Sequence, residues 1–310
     1  MKVFVTGGTG FVGRAVLRRL LEAGHTIRLL VRNPDSRKMR AFAGSQIELH
    51  TGDIQRPETL ESALDGVDAI IHLVGIISEC GSATFEKVHV RGAQNLLSAA
   101  RKYPGLQFLH MSALGTRPGA VSRYHQTKWA AEEAVRQSGS PFTIFRPSII
   151  YGREDAFVNL YRRIVRMSPI VPLFGSGKGT VQPVPVDFAG QCFVRALGSS
   201  AAVGQTYDVV GPEVFTFEQL IDGILSALDK NRIKIRIPMA PARAIVGVIE
   251  FVFTKWLRRP PPLNLDQLIM IEERTIGNGE PIARLLGETP PTFAAGLRDM
   301  LSAVRDSEIR

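Results

Sequence analysis

An α/β fold, a doubly wound parallel sheet with a smaller, mostly helical C-terminal lobe, is what this 310-residue sequence predicts. Three observations carry that reading. Short β-branched runs alternate with helical apolar spacing through the first two thirds of the chain. A glycine-rich turn stands between the first such run and the first helix. After Gly211-Pro212 the alternation stops and helical patterns dominate.

Lys2–Thr6 (KVFVT) is the first expected strand, and residues 10–23 carry helical spacing. Thr26–Val31 (TIRLLV), Ile47–Thr51 and residues 69–73 read as further strands. Between them, 56–64 and 92–101 read as helices. The first opens on Pro57, whose fixed φ and missing N–H suit a first helical turn. Residues 106–111, 142–145 and 206–210 continue the strand series. Short runs, apolar on both faces and separated by helices, imply parallel pairing with right-handed crossovers. Beyond residue 211, helical patterns cover 217–228, 242–256, 265–273 and 293–304, with one strand expected at 234–237. Pro260-Pro261-Pro262 and Pro290-Pro291 mark rigid breaks. The expected division is a nucleotide-binding domain over 1–211 and a substrate- or partner-binding lobe over 212–310, with part of 153–185 joining the lobe.

Composition narrows the function classes. Hydrophobic residues at 45% and charged residues at 22% exclude a disordered, collagen-like or disulfide-stapled chain. Cys80 and Cys192 form no CxxC pair, which favours a reducing compartment. The net charge of +9 raises the question of a polyanionic partner. Residues 1–211 hold 25 basic and 16 acidic residues, whereas 212–310 hold 13 of each, so the whole excess lies in the first part. Met1 leads directly into a strand, so no targeting segment is expected. Residues 240–257 are the longest apolar region, but Arg243, Glu250 and Lys255 interrupt it, which rules against a membrane span. A cytoplasmic location follows, with the inner face of a membrane as the peripheral alternative.

Residues 6–13 read TGGTGFVG, directly after the first strand and before a helix. Glycines at 7, 10 and 13, or at 8, 10 and 13, allow a tight turn and close backbone approach to a pyrophosphate. They also allow close helix–strand packing. The helix that follows presents free N–H groups and its positive end to phosphate. A Rossmann-type dinucleotide site is therefore expected. At the end of the second strand the sequence is Leu30-Val31-Arg32-Asn33, with no carboxylate to bind ribose hydroxyls. Arg32 suits a 2′-phosphate, so NADP(H) is expected over NAD(H). Arg37, Lys38 and Arg40 follow, the last two read as a solvated face. Asp53, in TGDI after the third strand, is placed to accept from an adenine amino group or to cap the next helix.

Tyr124 and Lys128 (YHQTK) are four apart and share one helix face. A phenol titrates near 10 and is a poor acid–base at neutral pH unless a cation favours the phenolate, which a lysine one turn away supplies.

Taken together, TGGTGFVG, LVR, TGDI, residues 71–75 (IHLVG), YxxxK and residues 146–152 (RPSIIYG) resemble an extended or atypical short-chain dehydrogenase/reductase. Within that superfamily, HLVGII (72–77), FEKVHVRGAQNLL (85–97), HMSALG (110–115) and PPTFAAGLRDML (290–301) resemble one subgroup most. It is the epimerase/dehydratase-like bacterial group related to the NADPH-binding accessory subunit of respiratory complex I. The resemblance implies phosphate contacts at Gly7, Gly10, Phe11 and Val12, with Gly13 completing the turn. It implies adenine contacts at Asp53 and Ile54, and nicotinamide-side contacts at Leu73, Val74, Gly75 and Pro147. Tyr124 would be the general acid/base and Lys128 its electrostatic partner. Active members carry a Ser or Thr after the fifth strand; here that position is Ala113, with Ser112 one residue earlier as the catalytic candidate in its place, ahead of Thr116 or Ser122, and His89 stands where many carry Asn. The implied partners are a small-molecule substrate, a lipophilic or quinone-like one included, and association with a membrane or respiratory complex. The implied activity is hydride transfer at a carbonyl or alcohol, or epimerase-like chemistry. The alternative is a non-catalytic nucleotide-binding subunit.

The six histidines show no HxxH or HExxH spacing, so no metal is expected. The segment 239–257 (MAPARAIVGVIEFVFTKWL) reads as a core helix of the lobe or as an amphipathic lid on a membrane or over an apolar substrate. Arg162, Arg163 and Arg166 read as a solvated basic face. No nucleic-acid partner is expected.

Overall fold

The computed structural model describes residues 1–35 and 46–308. Arg37, Lys38 and Arg40 lie outside the described residues. The first half runs β1 (Lys2–Thr6), α1 (Phe11–Glu22), β2 (Thr26–Val31), β3 (Ile47–Thr51), β4 (Ala69–His72), α2 (Gly92–Ala100), β5 (Gln107–Met111), α3 (Arg123–Arg136) and β6 (Phe142–Pro147). Then come β7 (Ile150–Tyr151), α4 (Ala156–Met167), β8 (Ile170–Phe174), β9 (Thr180–Val181), β10 (Val184–Pro185), α5 (Val186–Ala196) and β11 (Gln205–Val209). The remainder is β12 (Phe215–Thr216), α6 (Phe217–Ala227), β13 (Ile233–Ile237), α7 (Met239–Phe251), α8 (Leu265–Glu272), α9 (Glu280–Leu286) and α10 (Phe293–Glu308).

Seven strands make one parallel sheet in the order β11-β6-β5-β4-β1-β2-β3. The chain winds outward from β1 to β3, then crosses back to β4 and winds the other way. That reversal leaves a crevice at the carboxyl ends of β1 and β4, where ligands bind in open α/β sheets. β4 is buried along its whole length, which is why its run has no polar alternation. One apolar layer packs α1 and α5 on the sheet through Leu17, Leu20, Phe145 and Phe193. The opposite layer holds Ile54, Leu60, Leu96 and Val135.

The lobe has its own core, and that core draws on both sides of Gly211. Val158 and Val165 of α4 and Leu173 of β8 pack with Ile221 and Ile224 of α6 and with Phe293 and Leu297 of α10. β8 and β13 pair in parallel from Ile170↔Ile233 to Phe174↔Ile237. In the other direction, Ile282 of α9 joins the layer over α5.

Two expected helices differ. Residues 56–64 form two 3-10 turns, Pro57–Thr59 and Ser62–Leu64. Thr59 Oγ1 accepts from Asp53 N at 3.1 Å and donates to Arg56 O at 2.8 Å, local bonds that compete with an α-helical ladder. The segment at 239–257 is helical, ending in a π-helical turn at Val252–Trp256, but it is not a core helix. Only Ala242 and Val246 are buried, against Leu268 of α8. Both cysteines are free thiols. Among the described residues, no helix is long and apolar enough to cross a membrane.

Candidate functional site

The turn after β1 is shaped by its glycines. Gly7 has φ +78°, a left-handed conformation, and a methyl there would stand 2.9 Å from Leu73 C and Val74 N. The backbones leaving β1 and β4 therefore touch. Gly10 N donates to Gly7 O at 3.0 Å and closes the turn. A methyl at Gly13 would stand 2.5 Å from Gly8 Cα and closer still to Gly7 O, so α1 approaches the turn as only glycine allows. Gly10 caps α1 in extended conformation, and no side chain accepts a hydrogen bond at this helix start, where Phe11 and Val12 lead. Free N–H groups and the positive helix end face the crevice, the arrangement that receives a pyrophosphate.

Beyond the turn lies a cleft of about 370 Å³ whose lining includes Gly7, Arg32, Asp53, Ile54, Val74 and Gly75. Arg32 is exposed at the end of β2 and has no ion-pair partner among the described residues. Asp53 is the one carboxylate in the lining. Its Oδ1 accepts from Gln55 N at 3.0 Å, a turn-capping bond. Ile54 is buried, its backbone oxygen accepts from Asn95 Nδ2 at 2.8 Å, and a methyl on Gly92 would stand 2.5 Å from its Cδ1.

At the far end of the crevice stands α3, capped by Ser122, whose side chain accepts from His125 N at 3.1 Å. Lys128 is buried and donates through Nζ to Met111 O at the end of β5, at 2.9 Å. A side chain on Gly75 would come within 3.1 Å of that Nζ. Burial pushes the ammonium down from 10.5 to about 8. The ring of Tyr124 meets Phe85, His89 and His125 edge-on, with centroids at 5.9, 5.4 and 5.4 Å. The expected depression of its phenol by Lys128 does not occur. Burial, and then the carboxylate of Asp266, push it up to about 12. With its ammonium engaged at Met111 O, Lys128 does not offset those two effects.

Neutral histidines wall the lysine. Burial, then the charge of Lys128, pulls His72 down to about 3 and His89 to about 2. His110, stacked on His72 at 5.4 Å, is lowered by the same causes. His89 ties two walls together: Nδ1 lies 2.9 Å from Thr127 Oγ1 on α3, and Nε2 lies 3.1 Å from both N and O of Ile76. Ser112 is buried with Oγ 3.4 Å from Thr116 Oγ1, and Ala113 beside it is buried too. Pro147 ends β6 and its oxygen accepts from Leu114 N at 2.8 Å, holding the loop that follows β5.

Sequence reasoning missed two groups here. Asp266, on α8, accepts from Arg123 N and Tyr124 N at 2.8 Å each, so the lobe caps the helix that carries Tyr124. Asn264 donates to Ile77 O at 2.7 Å and lies 2.6 Å from Ser78 Oγ, tying α8 to the loop after β4. The local signal was a capping box, Asn264 with Gln267, but nothing local shows where the spare carboxylate reaches. Glu132 is the second: fully buried, it binds Arg136 and Arg146 at 2.6 Å each, and both guanidiniums lie against Trp129. It holds α3 to β6.

Residues 7–162 match the family model described as NAD(P)H-binding. Among curated relatives, a mitochondrial NADH dehydrogenase [ubiquinone] 1 alpha subcomplex subunit 9 of Arabidopsis thaliana is 27% identical over 88% of this chain and 70% of its own length. A ceramide reductase of Caulobacter vibrioides is 33% identical over 55% of this chain; the match spans only 53% of that protein. In fold, the chain is similar to a UDP-glucuronic acid 4-epimerase from Bacillus cereus, solved with UDP-glucuronic acid and NAD, at TM-score 0.73. That likeness covers 99% of each chain at 20% identity.

Proposed function

The chain belongs to the NAD(P)H-binding family, and from that premise we propose that it is an NADP(H)-dependent reductase of the short-chain dehydrogenase/reductase type, acting on the carbonyl of an apolar substrate. The observation that carries this reading is the meeting, across one crevice, of the glycine cradle and the Tyr124–Lys128 face. Gly75 lies between them, and its lack of a side chain leaves Lys128 Nζ room at the end of the cleft. When bound, NADPH supplies a hydride to the carbonyl carbon. Tyr124, held protonated at physiological pH, donates its proton to the carbonyl oxygen as that oxygen gains charge. Lys128 Nζ, at the Gly75 end of the cleft, would bind the nicotinamide ribose. Ser112 Oγ is the group we assign to orient the carbonyl oxygen, since Ala113 offers none. Arg32 would hold the 2′-phosphate, Asp53 the adenine amino group, and the free N–H groups before Gly13 the pyrophosphate. The ceramide reductase among the relatives supports an apolar substrate. The direct test is Tyr124→Phe, assayed by NADPH oxidation with a long-chain ketone as probe. Loss of turnover with NADPH binding retained is expected; unchanged turnover would refute the role of Tyr124.

Ala113 favours a second reading, a non-catalytic subunit that uses the nucleotide to fix its fold, in line with the Arabidopsis relative's name. Ligand at 1,000 times its dissociation constant would stabilise such a fold by about 4 kcal/mol. Under this reading Tyr124→Phe leaves the cellular phenotype unchanged while Gly13→Ala abolishes it. The proposed location is cytoplasmic for the enzyme and peripheral at the inner membrane face for the subunit.

A further inference from the structure

The lobe carries an apolar stripe that the other described residues leave exposed. Along α7 and its π-helical end, Ile245, Val248, Phe251, Trp256 and Leu257 are exposed, Val248 by 65% and Trp256 by 76%. The spacing 245, 248, 251/252, 255/256 puts them on one side of the helix. The opposite side, with Ala242 and Val246, packs on α8. Arg243 stands near the start of the stripe, and Lys255, Arg258 and Arg259 gather at its end. All four cations are exposed and none has an ion-pair partner among the described residues. The one carboxylate on this element, Glu250, is half-buried and accepts from Leu265 N at 3.0 Å.

We propose that this face is a docking surface for an anionic lipid bilayer, on which the helix lies flat. Charge complementarity selects that occupant. An apolar face with Trp and Phe, bordered by four exposed cations against one half-buried, hydrogen-bonded carboxylate, matches an interface that is hydrocarbon below and negatively charged at headgroup depth. No helix among the described residues can cross a bilayer, so the attachment is peripheral. The stripe also has a consequence for the crevice. α7 packs on α8, and α8 reaches Tyr124 N through Asp266 and the loop after β4 through Asn264. Docking would therefore bear, through α8, on the helix that carries Tyr124 and on the loop after β4.

The test is co-sedimentation of the full chain with two kinds of vesicle, phosphatidylcholine containing phosphatidylglycerol and phosphatidylcholine alone. The wild type is expected to sediment with the anionic vesicles and to be released by high salt. Val248→Ser/Phe251→Ser/Trp256→Ser is expected to remain in the supernatant. Arg258→Glu/Arg259→Glu is expected to bind on the order of tenfold more weakly. All five side chains are exposed, so thermal melting of both variants should match the wild type. Wild type that stays in the supernatant with anionic vesicles would overturn the proposal. So would variants that sediment like the wild type, or a wild-type dimer, broken by the triple substitution, that binds no vesicle. Vesicle binding needs no turnover, so this outcome is independent of the activity proposed above.

Discussion

Lys128 is the residue whose charge the fold opposes most clearly, and Lys128→Met isolates that opposition. In the folded chain its ammonium titrates near 8, against 10.5 for the ordinary group, because burial disfavours the charged form. Below pH 8 both folded and unfolded chains are protonated at this site, so its cost to stability is constant and fully present. Between pH 8 and 10.5 the unfolded chain binds the proton and the folded chain has released it. Stability from this group therefore rises with pH across that window and levels off above it. Integrating between pH 7 and 10 gives a rise of about 2.5 kcal/mol for the wild type that the methionine variant lacks. Other titrating groups cancel when the variant is subtracted. The hydrogen bond to Met111 O is worth about 1–3 kcal/mol and offsets part of the variant's advantage without changing the slope. The assay is urea denaturation of both proteins from pH 7 to 10, with NADPH binding measured beside it. The stability difference, variant minus wild type, is expected to fall by about 2–3 kcal/mol as pH rises, and nucleotide affinity to drop. A difference that stays flat across that range would refute the argument that burial holds Lys128 near 8.

Arg32→Ala is expected to reduce the thermal shift with NADPH and leave that with NADH unchanged; equal shifts for both nucleotides in the wild type would refute the cofactor preference. Gly13→Ala drives a methyl into Gly7 O and Gly8 Cα, so pyridine-nucleotide binding is expected to vanish and the unfolding free energy to fall by about 1–3 kcal/mol through overpacking. Binding at wild-type strength would show that α1 can shift away from the turn. Asp266→Asn removes one of the causes that raise Tyr124, so spectrophotometric titration of its phenol should show the pKa moving down toward 10. No movement would leave burial as the whole cause.

The parts of the site that were legible in the sequence are those encoded within a few residues of each other. TGGTGFVG between a strand and a helix states its own geometry: Gly13 answers a close approach within the turn, and Gly7 answers the approach of the β4 backbone. Tyr124 and Lys128 share a face for the same reason. The sheet was legible because buried parallel strands read as unbroken apolar runs. What the sequence hid depends on pairing across long separations. Nothing in residues 170–174 says that they pair with residues 233–237, so the contribution of α4 and β8 to the lobe could be bracketed but not traced. The exposure of α7 was hidden too, since hydrophobicity alone does not say which apolar helix is covered. Lys128 shows the same limit in electrostatics. Its spacing from Tyr124 suggests mutual stabilisation, yet Met111 O, brought in by the sheet, takes the ammonium instead.

Asp266 bears on whether the lobe is a passive cover or part of the reacting centre. Both of its oxygens accept from the first turn of α3, one from Arg123 N and one from Tyr124 N, at 2.8 Å each. A carboxylate at a helix N-terminus is stabilised by the helix dipole and stabilises the helix in return. The same charge, after burial, raises the phenol of Tyr124, so the bond that docks the lobe also bears on how firmly the phenol proton is held. Two requirements therefore meet in one side chain. A phenol kept protonated suits reduction, where the proton must leave the enzyme, and opposes alcohol oxidation, which needs a phenolate to accept one. A lobe that moved away would release the cap, take its negative charge with it and lower the phenol toward its ordinary value. Under the proposed reductase reading, the protonation of Tyr124 is thus tied to the packing of α8 on α3. Because α7 packs on α8, whatever holds the outer face of α7 also bears on that packing.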